Sequence, residues 1–194
     1  MDTLFALDRQ LGNIVRTTEQ PIVGQMRLTW WYEALEKLDH APPPAQPLLR
    51  ALAGLISEGR VAGRDLATMT EGWEVLLDRE RTAADTLTQF AHLRGATLFR
   101  AATALLGEDD PQVAQAGALW AFADLAANVS QEAIRDQATA AALDLADTVF
   151  GARWRGARPI GALALDAYMA AAGRGFANGP RRAARTVRFR MIGR

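Results

Sequence analysis

The chain has 194 residues, of which 49% are hydrophobic, and this is enough to bury one substantial core. Its 22 basic and 22 acidic residues leave no net charge, which argues against nucleic acid as a partner. The absence of cysteine excludes disulfides, thiolate metal sites and cysteine nucleophiles, and it is typical of a reducing compartment. No apolar run reaches the roughly 20 residues needed to cross a bilayer. We expect one cytoplasmic domain over residues 1–194.

The composition favours helices, because alanine and leucine dominate and runs of β-branched residues are scarce. The first predicted helix, Asp2 to Thr17, has apolar residues at helical spacing, including Leu4, Leu7 and Leu11. Because this apolar stripe begins almost at Met1, we expect that an element which would normally precede and cover it is missing. The fold class predicted here is therefore all-α, with a short N-terminus.

A second helix is predicted from Pro21 to about Leu38, since proline suits the first turn of a helix. Its core face is assigned to Ile22, Met26, Trp30 and Ala34. Further helices are predicted over residues 46–59, 63–78, 82–106, 113–127, 131–150, 158–173 and 180–191. We expect eight or nine helices, no sheet, and one orthogonal or bundle-like α domain. The side chains expected to be buried are Leu7, Leu11, Ile14, Met26, Trp30, Leu98, Leu105 and Leu119.

Two stretches resemble the squalene/phytoene synthase family, whose members have the all-α isoprenoid synthase fold. The first begins with FALDR at residues 5–9 and ends with MRLTWW at residues 26–31. The second is GATLFRAATALLG at residues 95–107, followed by GALW at residues 117–120. The Arg-Leu-x-Trp-Trp string is the more specific signal. The resemblance implies a single isoprenoid synthase-like domain that lacks the leading helix of the family.

In active members of that family, two aspartate-rich motifs face each other across a cavity and hold magnesium ions that bind the substrate diphosphates. Magnesium prefers carboxylate oxygens. Where the first motif has Asp-Asp-x-x-Asp, this chain has Gly12, Asn13 and Arg16, so a cation replaces one carboxylate. The resemblance therefore implies no metal site and no catalytic residue at this position.

The second motif, Asn-x-x-Arg-Asp-x-x-Glu-Asp in the family, is also altered, and the chain has Asp124, Asn128 and Glu132 in this region. These three residues recur every four positions, which predicts that they share one helical face. We expect the helix that carries Asn13 and Arg16 to face them across a vestigial ligand-binding cavity. Arg16 is expected to neutralise Asp124 or Glu132.

The decayed motifs resemble a non-catalytic branch of the family, related to the mitochondrial assembly factor for respiratory complex I. This resemblance implies an assembly or binding factor for a membrane-associated respiratory complex, which acts through a protein partner and without a cofactor. The alternative is a protein that binds isoprenoid diphosphate, or a head-to-head prenyltransferase of the squalene/phytoene synthase type. Only this alternative needs magnesium.

The C-terminal part of the chain is strongly basic, because no acidic residue follows Asp166 whereas seven arginines do. On the last predicted helix, apolar residues form a narrow stripe beside these arginines, at Ala183, Ala184, Val187 and Met191. Such a helix can rest on anionic lipid or on an acidic protein, or it can pack on the core with solvated arginines. The first reading adds an anionic membrane surface as a partner and a location at the periphery of the inner membrane.

Overall fold

The computed structural model describes residues 1–77, 84–173 and 180–194. These residues form eleven α-helices and one π-helical segment, Ala91–Ala96, and contain no strand. The α-helices are α1 (Asp2–Thr17), α2 (Pro21–Lys37), α3 (Pro47–Ser57), α4 (Gly63–Glu74), α5 (Ala84–Phe90), α6 (Thr97–Leu106), α7 (Val113–Asn128), α8 (Glu132–Asp144), α9 (Ala146–Phe150), α10 (Arg158–Ala172) and α11 (Pro180–Ile192). The all-α prediction is confirmed.

The helix bounds follow the predicted ones within a few residues. Because α5, the π-helical segment and α6 are continuous, and only Leu145 separates α8 from α9, the described part of the chain has nine helical rods. The predicted end of the fourth helix at Asp78 and the predicted start of the fifth at Thr82 lie outside the described residues.

The helix starts have local causes. Pro21 and Pro47 lie in the first turn of their helices, where a backbone N–H has no acceptor within the helix, so the missing N–H of proline removes no hydrogen bond. The side chain of Gln46 caps α3 by accepting a hydrogen bond from the Leu49 N–H at 2.7 Å. The carboxylate of Asp39 caps α4, where it accepts the N–H of Arg64 at 2.9 Å. These caps satisfy donors that a helix end leaves unpaired.

The centre of the fold is the crossing of α7 with the π-helical segment. A Cβ atom built on Gly95 would lie 2.0 Å from the carbonyl oxygen of Gly117, and one on Gly117 would lie 2.2 Å from the carbonyl oxygen of Gly95. Only glycine on both sides allows the two backbones to touch in this way. The crossing therefore fixes the position of the neighbouring residues on both helices.

The predicted core face of α2 is wrong. Three of its four side chains are exposed instead, at 61% for Ile22, 68% for Met26 and 48% for Trp30, whereas Ala34 is buried. The helix packs through its opposite face, which is also apolar and includes Leu28, Trp31 and Leu35. Gly24 lies on that buried face, and a Cβ there would come within 2.7 Å of the Leu77 side chain. The other residues predicted to be buried are so, except that Leu105 is half-buried.

The C-terminal helices pack around Trp154, which is fully buried and donates its indole N–H to the Val149 carbonyl at 2.8 Å. Phe189 of α11 packs edge-on against Trp154, with ring centroids 5.8 Å apart. Within the described residues, no helix has the length and apolar character that a membrane crossing requires.

Candidate functional site

The candidate site is built around Arg94, which lies in the π-helical segment. Its backbone lies between two helices. On one side, a Cβ on Gly72 of α4 would lie 2.9 Å from the Arg94 backbone nitrogen, and on the other side the Gly95–Gly117 contact joins the segment to α7. Arg94 is only 2% exposed. A π-helical turn inside an α-helix is uncommon and often occurs at functional sites. Here it places a cation at the centre of the protein.

The guanidinium of Arg94 binds two carboxylates and shares its Nη2 atom between them. Its Nε and Nη2 atoms donate to the two oxygens of Asp8 on α1 at 2.7 and 2.8 Å, in a bidentate pair. Nη2 also lies 2.7 Å from Oδ2 of Asp124 on α7. The indole N–H of Trp73 donates to Asp8 at 3.1 Å. One arginine therefore joins α1, α7 and the π-helical segment.

Aromatic rings enclose the same guanidinium. Its central carbon lies 4.2 Å from the ring centroid of Trp73, 4.7 Å from that of Trp120 and 5.3 Å from that of Phe90. Cation–π attraction at these distances contributes about 0.5 to 2 kcal/mol per ring, more where water is excluded. The ion pair with Asp8 is shielded from water, since both side chains are at most 6% exposed, and this strengthens the pair.

Arg94 remains a cation in this setting. Burial acts to lower its pKa, but the hydrogen bond and charge of Asp8, together with Asp124, outweigh burial and raise the pKa above its ordinary value. Nη1 of Arg94 is buried and has no hydrogen-bond partner within the described residues. A polar atom of a ligand or a water molecule would satisfy it, because a buried unpaired donor is costly.

Arg94 and Asp124 line a pocket of about 310 Å³, which is near the lower end of the range of roughly 300 to 1,000 Å³ for ligand pockets. Arg16 and Asn128 line it as well. Most of the remaining lining is apolar and comes from several helices: Val15, Trp73, Leu76, Leu77, Leu87, Phe90, Leu125, Val129 and Ile134. The pocket thus combines an apolar wall with two arginines.

The structure places three of the five predicted cavity residues at this pocket: Arg16, Asp124 and Asn128. Asn13 and Glu132 are exposed and do not line it. Glu132 does not share a face with Asp124 because α7 ends at Asn128 and Val129 adopts an extended conformation. Glu132 begins α8 instead, where its charge suits the helix N-terminus.

The structure also does not show the expected pairing of Arg16 with Asp124 or Glu132. The cation bound to Asp124 is Arg94, which reaches it from the π-helical segment. Asp124 also accepts a hydrogen bond from the Asn128 side chain at 3.1 Å, one turn along α7. A protein cation does neutralise the carboxylate, as expected, but a different arginine provides it.

Sequence reasoning missed Asp8, Trp73 and Arg94 as members of the site. A signal existed, since Asp8 lies within the apolar stripe of Leu4, Leu7 and Leu11. Arg94 likewise lies within a run of small and apolar residues. Opposite charges inside two stripes that both face the core predict a buried ion pair, because a buried charge is rarely left alone.

The residues present do not fit a magnesium ion. In residues 1–77, 84–173 and 180–194, no three His, Asp or Glu side chains lie close enough together to hold a metal. Both carboxylates that face each other across the site are bound to Arg94, and a divalent cation would have to displace that guanidinium. We therefore derive no metal-assisted step for this site.

The fold and the site define an all-helical protein with a pocket between its helices. The sequence model of the squalene/phytoene synthase family matches residues 3–136, which is more than half of the 194-residue chain. The chain therefore belongs to the squalene/phytoene synthase family. The match covers every residue that lines the pocket, and it ends before α9, α10 and α11. No curated protein and no solved structure matches the chain.

Proposed function

We propose that this protein is a non-catalytic member of the squalene/phytoene synthase family that acts as an assembly or binding factor for a membrane-associated respiratory complex. The single observation that carries the first half of this proposal is the binding of Arg94 to both Asp8 and Asp124. Prenyl transfer in this family needs a metal to offset the substrate diphosphates. At this site the two facing carboxylates already have a counter-charge from the protein.

The second half of the proposal is supported by the outer face of α2. Met26 and Trp30 are exposed on this face although both belong to the Arg-Leu-x-Trp-Trp region that resembles the complex I assembly branch. Trp30 stands edge-on against the buried Trp31, with ring centroids 5.4 Å apart, so its ring has a fixed position. Rigid exposed aromatic residues are typical of protein-binding surfaces.

The test is to replace Met26 with Asp in the full chain, expressed in its own cells in place of the native copy. We expect loss of co-purifying respiratory subunits and reduced NADH dehydrogenase activity, because a charge in an apolar interface is not solvated. Leu143→Asp is the matched control, since Leu143 is also exposed on a helix. Normal NADH dehydrogenase activity in cells that lack the protein altogether would refute the assembly role.

The runner-up is an isoprenoid diphosphate-binding protein or prenyltransferase. The observation that favours it is the apolar pocket with the unpartnered Nη1 of Arg94 and with Arg16 in its lining. Calorimetric titration with farnesyl diphosphate, with and without magnesium, decides between the two functions. Saturable binding that Arg16→Gln weakens, or any product formation, would favour this reading over the assembly role.

A further inference from the structure

The C-terminal helix α11 docks on the body through one face. Phe189 is buried and contacts Trp154 and Phe150, each with ring centroids 5.8 Å away. Arg182 binds the carboxylate of Asp166 on α10 through Nε and Nη2, both at 2.6 Å. These contacts fix which side of the helix faces outward.

The outward side is the apolar stripe of the helix. Val187 is 55% exposed and lies about 160° around the helix axis from Phe189, given 100° per residue. Met191 is one turn further and is 70% exposed. The whole stripe that the sequence predicts is exposed: Ala183, Ala184, Val187 and Met191. The helix does pack on the core with exposed arginines, as the second reading expects, but it does so through Phe189, so the stripe itself faces outward.

Arginines border the stripe on both sides. Arg181 and Arg188 lie along one edge and Arg190 along the other, and all three are exposed. No acidic residue occurs within residues 180–194. Arginine can lay its aliphatic stem along an apolar surface while its guanidinium reaches a phosphate. A narrow apolar stripe with arginines along its edges is the pattern of a helix that lies in the plane of a membrane surface.

A basic cleft adjoins the C-terminal end of α11. It measures about 740 Å³, and its charged lining is one buried aspartate and four arginines: Asp110, Arg153, Arg155, Arg158 and Arg194.

Two of these arginines attach the cleft to the helix, because Arg153 and Arg158 donate to the carbonyls of Ile192 and Met191 at 2.9 and 2.7 Å. The carboxylate of Asp110 accepts hydrogen bonds from backbone N–H groups, including that of Arg155 at 2.8 Å. Arginine carries five N–H donors, so a single bond to a carbonyl leaves donors for a phosphate.

We propose that the outward face of α11 and this arginine cleft form a docking surface for an anionic phospholipid bilayer. The apolar stripe enters the boundary between headgroups and acyl chains, and the arginines bind lipid phosphates. Charge complementarity identifies the occupant, since Asp110, the one acidic side chain among the described residues that line the cleft, is buried and bound by backbone donors. Its arginines and the α11 stripe lie outside residues 3–136, which match the family. None of them lines the pocket around Arg94 or belongs to α2, so the surface is separate from both.

The experiment is co-sedimentation of the purified full chain with vesicles. One set contains only phosphatidylcholine, and the other contains phosphatidylcholine with phosphatidylglycerol. We expect binding to the anionic set alone, with an affinity that falls as salt increases. Absence of binding to the anionic vesicles, or equal binding to both sets, would overturn the proposal.

Variants then test the two parts of the surface. Met191→Asp should weaken binding to anionic vesicles about tenfold, since it removes apolar contact and adds a repelled charge. Leu143→Asp is the matched control, because Leu143 is also an exposed apolar residue, on α8, and it should bind like wild type. The pair Arg188→Gln and Arg190→Gln should weaken binding about fivefold per arginine, whereas Arg50→Gln on α3 should not.

Each variant is checked for wild-type helicity and melting temperature, which exposed positions should preserve. Equal loss in Met191→Asp and Leu143→Asp would refute insertion of the α11 stripe. Binding of a poly-glutamate peptide, with no sedimentation on anionic vesicles, would assign the surface to an acidic protein and overturn the lipid proposal.

Discussion

Replacement of Arg94 by Met should be among the most damaging single changes in this protein. The substitution keeps much of the side-chain volume and removes the charge. It leaves Asp8, which is 4% exposed, with only the 3.1 Å hydrogen bond from Trp73. It also removes three cation–π contacts. Breaking a buried pair from one side costs about 3 to 5 kcal/mol, because the remaining charge is buried without compensation.

The geometry also predicts how much stability related variants should lose. Asp124→Asn should cost about 1 kcal/mol or less, because the side chain of Asp124 is 35% exposed and water can replace Arg94 there. The double variant Arg94→Met with Asp8→Asn should lose less stability than the sum of the two single variants, by about 1 to 3 kcal/mol. The coupling arises because the second change removes the stranded carboxylate.

Urea denaturation followed by circular dichroism measures these differences in the free energy of unfolding. A loss below about 1 kcal/mol for Arg94→Met would refute the argument, because it would mean that Asp8 is solvated or neutral without its partner. Strict additivity in the double variant would equally contradict a direct interaction between the two side chains.

Three further predictions concern packing and metal binding. Gly117→Ala should destabilise the protein by about 1 to 3 kcal/mol, because the new Cβ would meet the Gly95 carbonyl. Gly54→Ala should stabilise it by about 0.5 to 1 kcal/mol, because a Cβ on Gly54 has nothing within 4 Å. Denaturation curves that show the same sign for both variants would contradict this prediction. Trp31→Ala should lower the free energy of unfolding by about 3 to 5 kcal/mol and Trp30→Ala by clearly less, because Trp31 is 5% exposed and Trp30 is 48% exposed. The same unfolding curves measure both losses, and the reverse order would contradict the argument. Millimolar magnesium should leave the melting temperature of the wild type unchanged, since an ion that does not bind the native state cannot shift unfolding; a saturable rise in a thermal scan would reveal a working metal site.

Much of the fold could be predicted because the signals for helix ends are local. Pro21, Pro47 and Gly107 mark bounds that the structure reproduces closely. The buried face of α2 could not be read in the same way, because Met26 and Trp31 lie on opposite faces that are both apolar. Periodicity alone cannot decide which of two apolar faces is buried.

The site was harder to predict because its key contact joins residues far apart in sequence. Asp8 and Arg94 are separated by 86 positions, and no local spacing pairs them. Asp124 and Asn128 were found through the family resemblance, and they do line the pocket. Glu132 was misplaced because a four-residue spacing assumes a continuous helix, and the chain is extended at Val129.

The π-helical segment that carries Arg94 has a consequence for how this chain can change. Each residue of an α-helix turns the chain by about 100°, so deleting Ala96, which lies between Arg94 and α6, would rotate Arg94 by about that angle relative to α6. The i→i+5 hydrogen bonds of this turn could then revert to the ordinary α-helical pattern. A deletion of a single codon would thus be enough to withdraw the guanidinium from Asp8 and Asp124 while α6 and α7 keep their places. The pairing of these two carboxylates with a protein cation therefore depends on the length of one helical turn.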